Sequence, residues 1–227
     1  MSHHIVKREM IAELVGTFIL VFLGTSAVVT AKMASGGAAF GFLHYLAIGV
    51  AFGVALMVAA YTVGPISGAH LNPAVTIGLA VAKRLSMDRV LPYILSQCAG
   101  AILASWLLLV VLGTKAYGLG ETMVGPLGVR EALCIEMILT AFLVFTVLGA
   151  TDKNAPAGFA GLIIGIYLAA SHLIGIPFSG NSLNPARSLG PAILMGGPAF
   201  EQLLLVYLVA PVVGAVLGAF AYKRLTA

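Results

Sequence analysis

Two stretches hold most of the residues in this chain that could do chemistry. The first is Ser67-Gly68-Ala69-His70-Leu71-Asn72-Pro73-Ala74, and the second is Ser179-Gly180-Asn181-Ser182-Leu183-Asn184-Pro185-Ala186-Arg187. In each, Asn stands directly before Pro-Ala. Asn is a favoured N-cap because its side-chain oxygen accepts a backbone N–H, and Pro suits the first helical position because its missing N–H would be unpaired there anyway. Both motifs therefore read as helix starts. Three other polar groups stand alone in apolar runs: Glu13, Glu136 and His172. Cys98 and Cys134 lie in separate apolar runs, too isolated for a disulfide framework or a metal site. No nucleophile is placed with a base and no metal-binding cluster is evident, so neither an enzyme nor a cofactor is expected. What remains is hydrogen bonding and fixed charge.

The elements that position these residues must lie in lipid. Of the 227 residues, 60% are hydrophobic and only 9% are charged, against roughly 25% charged in an average soluble protein. The mean hydropathy is +1.07. Long apolar stretches run from Met10 to Ala31, Phe42 to Gly64, Val90 to Gly113, Ala132 to Thr151, Ala157 to Ile176 and Gln202 to Ala221. Nearly all reach the roughly 20 residues that a spanning helix needs. The opening residues carry no small-residue cleavage site and read as no removable signal peptide, and His3 and His4 read as a solvated tail.

A net charge of +4 could suggest nucleic acid, but the placement of the cations argues for a membrane. Lys7, Arg8, Lys83, Arg84, Arg89, Lys153, Lys223 and Arg224 fall at the two ends and in alternate connections. This is the positive-inside pattern, which places both termini in the cytoplasm and Lys32, Lys115 and Arg130 outside.

The chain also repeats itself. At one constant offset Gly49 recurs as Gly161, Gly53 as Gly165, Ser67 as Ser179, Leu71 as Leu183, and Asn72-Pro73-Ala74 as Asn184-Pro185-Ala186. At slightly drifted offsets Glu13 and Thr17 match Glu136 and Thr140, and the run from Gly100 matches the run from Gly214. The repeats cover approximately residues 8–115 and 130–224 of a single transmembrane domain, 1–227. Each half holds three spans, and an odd number inverts the second half in the bilayer. Residues 72–82 would rise about 16 Å as a helix, about half of a roughly 30 Å hydrocarbon core. They read as a re-entrant half-helix, and the extended residues before it are tolerable at membrane depth only where they are buried in protein or line a water-filled cavity. The expected fold is an all-α membrane protein of six transmembrane helices and two half-helices that meet near the midplane, in an inverted 3+3 repeat.

With the duplicated glutamate segments "AELVGTF" and "IEMILTAF", the two Asn-Pro-Ala motifs resemble the aquaporin (major intrinsic protein) family over essentially the whole chain. The resemblance implies a right-handed bundle, a pore in each protomer, homotetramers in the cell membrane and passive permeation of water. It implies that Asn72 and Asn184 point their amide NH₂ groups into the lumen. The carbonyls of Gly68, Ala69 and His70 on one side, and of Gly180, Asn181 and Ser182 on the other, would form acceptor ladders. The selectivity filter would fall on Phe52, His172, Asn181 and Arg187. Phe, His and Arg form the water-selective set, and Ser188 and Ala192 match the same type. Asn181 stands where water channels commonly have Cys or Thr, and Leu208 where many have Trp.

Plainer readings exist for several of these positions. Alone, His172 would be a hydrogen-bonded core residue and Phe52 core packing; the family's spacing ahead of the Asn residues favours the filter. Glu13 and Glu136 could carry protons, since ionisable groups inside a membrane are functional candidates. Their duplication favours a structural role, each accepting hydrogen bonds from its own re-entrant segment. His70 is expected to brace its own loop. Inverted repeats also occur in secondary transporters, and a glycerol-passing channel is the nearer alternative.

Overall fold

The computed structural model describes the backbone of residues 3–226 and the side chains of residues 7–226, so the side chains of His3 and His4 lie outside the described residues. The helices are α1 His3–Ala34, α2 Phe42–Ser67, α3 Pro73–Val81, α4 Met87–Leu112, α5 Val129–Ala150, α6 Ala160–Ser179, α7 Pro185–Met195, α8 Gly197–Glu201 and α9 Ala210–Thr226. A π-helical stretch, Leu203–Val209, leads into α9. Six segments are long and apolar enough to cross a bilayer: Lys7–Ala34, Phe42–Ser67, Met87–Leu112, Val129–Ala150, Ala160–Ser179 and Leu203–Thr226. Among the described residues there is no strand.

The packing carries the inverted repeat. Helix α1 lies against α2 and α4, as α5 lies against α6 and α9; α2 and α6 face each other where the halves meet. Half-helix α3 packs on α9 and α7 packs on α4, so each half's short helix leans on the last span of the other half. The two halves are thereby interlocked.

Backbone contact within each half depends on equivalent glycines. A Cβ at Gly100 would lie 2.3 Å from the carbonyl oxygen of Leu14, and one at Gly214 would lie 2.2 Å from that of Met137. Leu14 and Met137 each follow a buried glutamate, so the same crossing sets the height of both carboxylates in the bundle. Gly214→Val should push α9 off α5 at a cost of about 1–3 kcal/mol. The expected result is a lower melting temperature of the detergent-solubilised protein by fluorescence size exclusion after heating, and wild-type thermal behaviour would count against this crossing.

Element boundaries differ from those read in the sequence. Helices α2 and α6 continue past Gly64 and Ile176, through Pro65 and Pro177, to Ser67 and Ser179. Proline lacks one donor but leaves the carbonyls free, and the helices end at left-handed Gly68 and Gly180, whose N–H groups close onto Gly64 and Ile176. The first half-helix ends at Val81 rather than at residue 82. Neither α8 nor the π-helical stretch has a counterpart in the first half.

Candidate functional site

The two re-entrant segments have the same backbone. After the glycine that ends the spanning helix, Ala69 (φ 50°) and Leu71 (φ 56°) on one side, and Asn181 (φ 54°) and Leu183 (φ 54°) on the other, are left-handed. Such conformations cost about 1–3 kcal/mol each and persist only where the surroundings over-determine them. Here the surroundings are the buried glutamates. Glu13 Oε1 accepts from Ser67 Oγ (2.7 Å) and the His70 N–H (2.9 Å), and Oε2 accepts from the Leu71 N–H (2.7 Å) and Gln97 Nε2 (2.8 Å). Glu136 Oε1 accepts from Ser179 Oγ (2.6 Å) and the Ser182 N–H (2.7 Å), and Oε2 accepts from the Leu183 N–H (2.7 Å). A phenol closes each helix end: Tyr93 donates to the Ser67 carbonyl (2.9 Å) and Tyr207 to that of Ser179 (2.8 Å).

These bonds dictate where the carbonyls go. In a trans peptide the C=O of one residue points opposite to the N–H of the next, and no peptide here is cis. With the N–H groups of His70 and Leu71 on Glu13, the carbonyls of Ala69 and His70 face away from it. The carbonyls of Asn181 and Ser182 likewise face away from Glu136. The N–H groups of Ala69 and Asn181 bond Ser67 Oγ (3.1 Å) and Ser179 Oγ (3.2 Å), which turns the carbonyls of Gly68 and Gly180 in the same sense.

The half-helix starts meet in the interior. Asn72 Oδ1 accepts from the Ala74 N–H (2.8 Å), and Asn184 Oδ1 accepts from those of Ala186 (3.0 Å) and Arg187 (3.3 Å), with Pro73 and Pro185 in the first turn. The amide nitrogens reach across the repeat: Asn72 Nδ2 donates to the Leu183 carbonyl and Asn184 Nδ2 to that of Leu71, both at 2.8 Å. The resemblance to the family implies NH₂ groups pointing into the lumen. The structure commits one hydrogen of each to the opposite half and leaves one.

A cavity of about 520 Å³ runs from a mouth at Tyr61, Arg84, Thr151 and Gly158, past Gly68, Ala69 and His70, to Asn72, Asn184, Ser182, His172, Phe52 and Arg187. Leu20, Leu56, Val75, Leu143 and Leu168 form apolar wall. Across the mouth Arg84 pairs with Asp152 (2.9 Å), and the Asn154 N–H, followed by Arg84 and Tyr222, holds the Asp152 carboxyl below its ordinary pKa.

At the other end the Phe52 and His172 rings stack with centroids 4.5 Å apart, and the Arg187 guanidinium carbon lies 4.8 Å from the Phe52 centroid. His172 Nδ1 is 2.8 Å from the Leu168 carbonyl. A carbonyl only accepts, so Nδ1 carries the hydrogen. Nε2 is buried with no partner among the described residues. Arg187 Nη1 donates to the Gly120 carbonyl at 2.7 Å, while its buried Nε has no partner among the described residues. Among the described residues, both nitrogens are thus buried without a hydrogen-bond partner at this end of the cavity. Asn181 is placed differently from the filter reading: its side chain turns back onto α6, where Nδ2 donates to Ser171 Oγ (3.2 Å), and neither Gly180 nor Asn181 borders the cavity.

The model of the Major intrinsic protein family matches residues 1–222. This chain belongs to the major intrinsic protein family. It is similar to Aquaporin Z of Rhodopseudomonas palustris, 40% identical over 96% of this chain and 93% of that one. It is also similar to the glycerol uptake facilitator protein-like 6 of Lactiplantibacillus plantarum, 43% identical over 95% of this chain and 97% of that one. The X-ray structure of the aquaglyceroporin from Plasmodium falciparum superposes with a TM-score of 0.86 at 26% identity, covering 97% of each chain. The protein is a multi-pass membrane channel of this family, not an enzyme.

Several supporting residues of this major intrinsic protein escaped the sequence reading. Gln97 bridges Glu13 and Thr76 Oγ1 (2.9 Å); Thr76 in turn donates to the Asn72 carbonyl (2.9 Å) and meets His70 Nδ1 at 3.2 Å. In the other half Ser188 fills the place of Thr76, bonding Ser182 Oγ (2.6 Å) and Thr122 Oγ1 (2.7 Å). Tyr93 and Tyr207 stand at the same distance before Gly100 and Gly214, so the repeat carried a signal for them. Leu208 packs against the buried cluster that contains Ala132, Ala192, Leu203 and Tyr207 and does not border the cavity.

Proposed function

We propose that this channel passes water in single file and excludes protons, ions and most larger neutral solutes. The observation that carries this reading is the close grouping of Phe52, His172 and Arg187, where two stacked rings and a guanidinium crowd one end of the cavity. Selectivity in such pores follows from diameter, lining donors and acceptors, and electrostatic barriers. A water molecule is small enough to pass such a grouping one at a time; a three-carbon polyol must also fit its backbone past the rings and the arginine. Midway, the remaining amide hydrogens of Asn72 and Asn184 donate to a passing water, whose own hydrogens then turn outward to the carbonyls of the two re-entrant segments. Each half-helix start contributes roughly half a positive charge, and Arg187 adds a full one, so cations meet a barrier.

Proton carriage by Glu13 or Glu136 is disfavoured because their oxygens are occupied by backbone and side-chain donors of the re-entrant segments. Glycerol conduction is the second reading, favoured by the glycerol facilitator-like relative and the aquaglyceroporin superposition. Stopped-flow light scattering on proteoliposomes separates the two. Under a sucrose step, vesicles containing the protein should shrink far faster than empty ones. Under a glycerol step they should reswell at nearly the empty-vesicle rate. Reswelling enhanced as strongly as shrinkage would overturn the water-selective reading. The same proposal places the protein in the cell membrane as a homotetramer with both termini cytoplasmic, and the exposed apolar residues Leu43, Leu91, Leu95 and Trp106 suit lipid and neighbouring copies.

A further inference from the structure

Filter side chains need space behind them as well as partners. A Cβ at Gly24, on α1, would lie 2.2, 2.4 and 2.5 Å from three ring carbons of Phe52. A Cβ at Gly175, on α6, would lie 2.0 Å from Asn181 Oδ1 and 2.7 Å from its Cγ. Side chains do not approach that closely in a close-packed interior, so any residue larger than glycine at either place must displace the filter residue in front of it. For Phe52 the directions are limited. His172 and Arg187 lie against the ring, and a ring leaving α1 moves into the cavity it borders. For Asn181, the bond to Ser171 holds the amide back on α6, and losing the space at Gly175 forces it off that helix. Neither glycine borders the cavity.

We infer that Gly24 and Gly175 set the bore of the filter by recessing Phe52 and Asn181, and so act as specificity-determining positioning residues that touch no permeant. The inference rests on the filter proposed above. It also explains how an Asn, longer than the Cys or Thr common at that position in water channels, is accommodated without filling the pore.

The test is pairwise rescue in proteoliposomes. Gly24→Ala and Gly175→Ala should each lower water permeability about tenfold, equivalent to about 1.4 kcal/mol in the barrier. Phe52→Val should restore flow to Gly24→Ala but not to Gly175→Ala, and Asn181→Ala should do the reverse. A role confined to helix packing predicts no such pairing. If Gly24→Ala yields no folded protein, Gly24→Ala/Phe52→Val must recover the folded yield, because the clash is gone. Recovery of neither yield nor flow overturns the inference, as does a Gly24→Ala protein with unchanged water and glycerol rates. A wild-type protein that conducts no water would instead remove the water-channel reading, while rescue of folded yield by the matched partner would still stand.

Discussion

Replacing Glu136 with Ala should remove most of the folded protein from the membrane. The change strands three buried donors, the Ser179 hydroxyl and the N–H groups of Ser182 and Leu183, at about 1–3 kcal/mol each. It also releases the left-handed backbone at Asn181 and Leu183, which nothing else in that half holds as strongly. Against a typical total stability of about 5–15 kcal/mol, the loss is decisive. Glu136→Gln should fall between, since one amide oxygen still accepts from Ser179 and Ser182 while its NH₂ faces the Leu183 N–H. Detergent-extracted yield and monodispersity by fluorescence size exclusion read the effect. A Glu136→Ala protein that extracts like the wild type would show that the carboxylate does not hold the segment. A Glu136→Gln protein that folds normally but loses an ion-coupled flux would make Glu136 a transport residue.

The filter should respond in a different quantity. Arg187→Val combined with His172→Ala removes the guanidinium beside Phe52 and the ring stacked on it, opening the narrow end of the cavity. Water flow should persist, because the half-helix starts at Asn72 and Asn184 and the re-entrant backbone before them are untouched. Glycerol entry should rise about tenfold or more, a fall of at least about 1.4 kcal/mol in its barrier, and proton or cation leak should rise as the full charge of Arg187 is lost and only the fractional charges of the helix starts remain. Stopped-flow reswelling in glycerol and a vesicle-enclosed pH dye read the two effects. Glycerol entry at the wild-type rate would mean that another part of the pore sets its width.

Much of this architecture was legible because the chain states it twice. Asn-Pro-Ala in both halves announced two capped half-helices, and the recurrence of Glu13 as Glu136 pointed to a structural acid in each half. What was not legible depends on three-dimensional reach. Whether an Asn amide faces the lumen or the opposite half depends on where the Leu71 and Leu183 carbonyls fall, and the sequence carries no distance between them. Asn181 turns back because Gly175 and Ser171 lie behind it, one helical turn apart on a different element. Gln97 has no equivalent in the second half, so the repeat could not expose it. Helix ends were misplaced at Pro65 and Pro177 because a proline near a helix end can stop the helix or sit within its final turn, and the left-handed glycine that follows decides which.

The most direct test of a pore that passes water and refuses protons uses one preparation of wild-type proteoliposomes loaded with a pH-sensitive dye. An osmotic step and an acid step are applied to matched aliquots. The predicted result is shrinkage much faster than in empty vesicles, with internal acidification no faster than in empty vesicles. Acidification that accelerates in proportion to water flow would contradict the electrostatic barrier assigned to Asn72, Asn184 and Arg187.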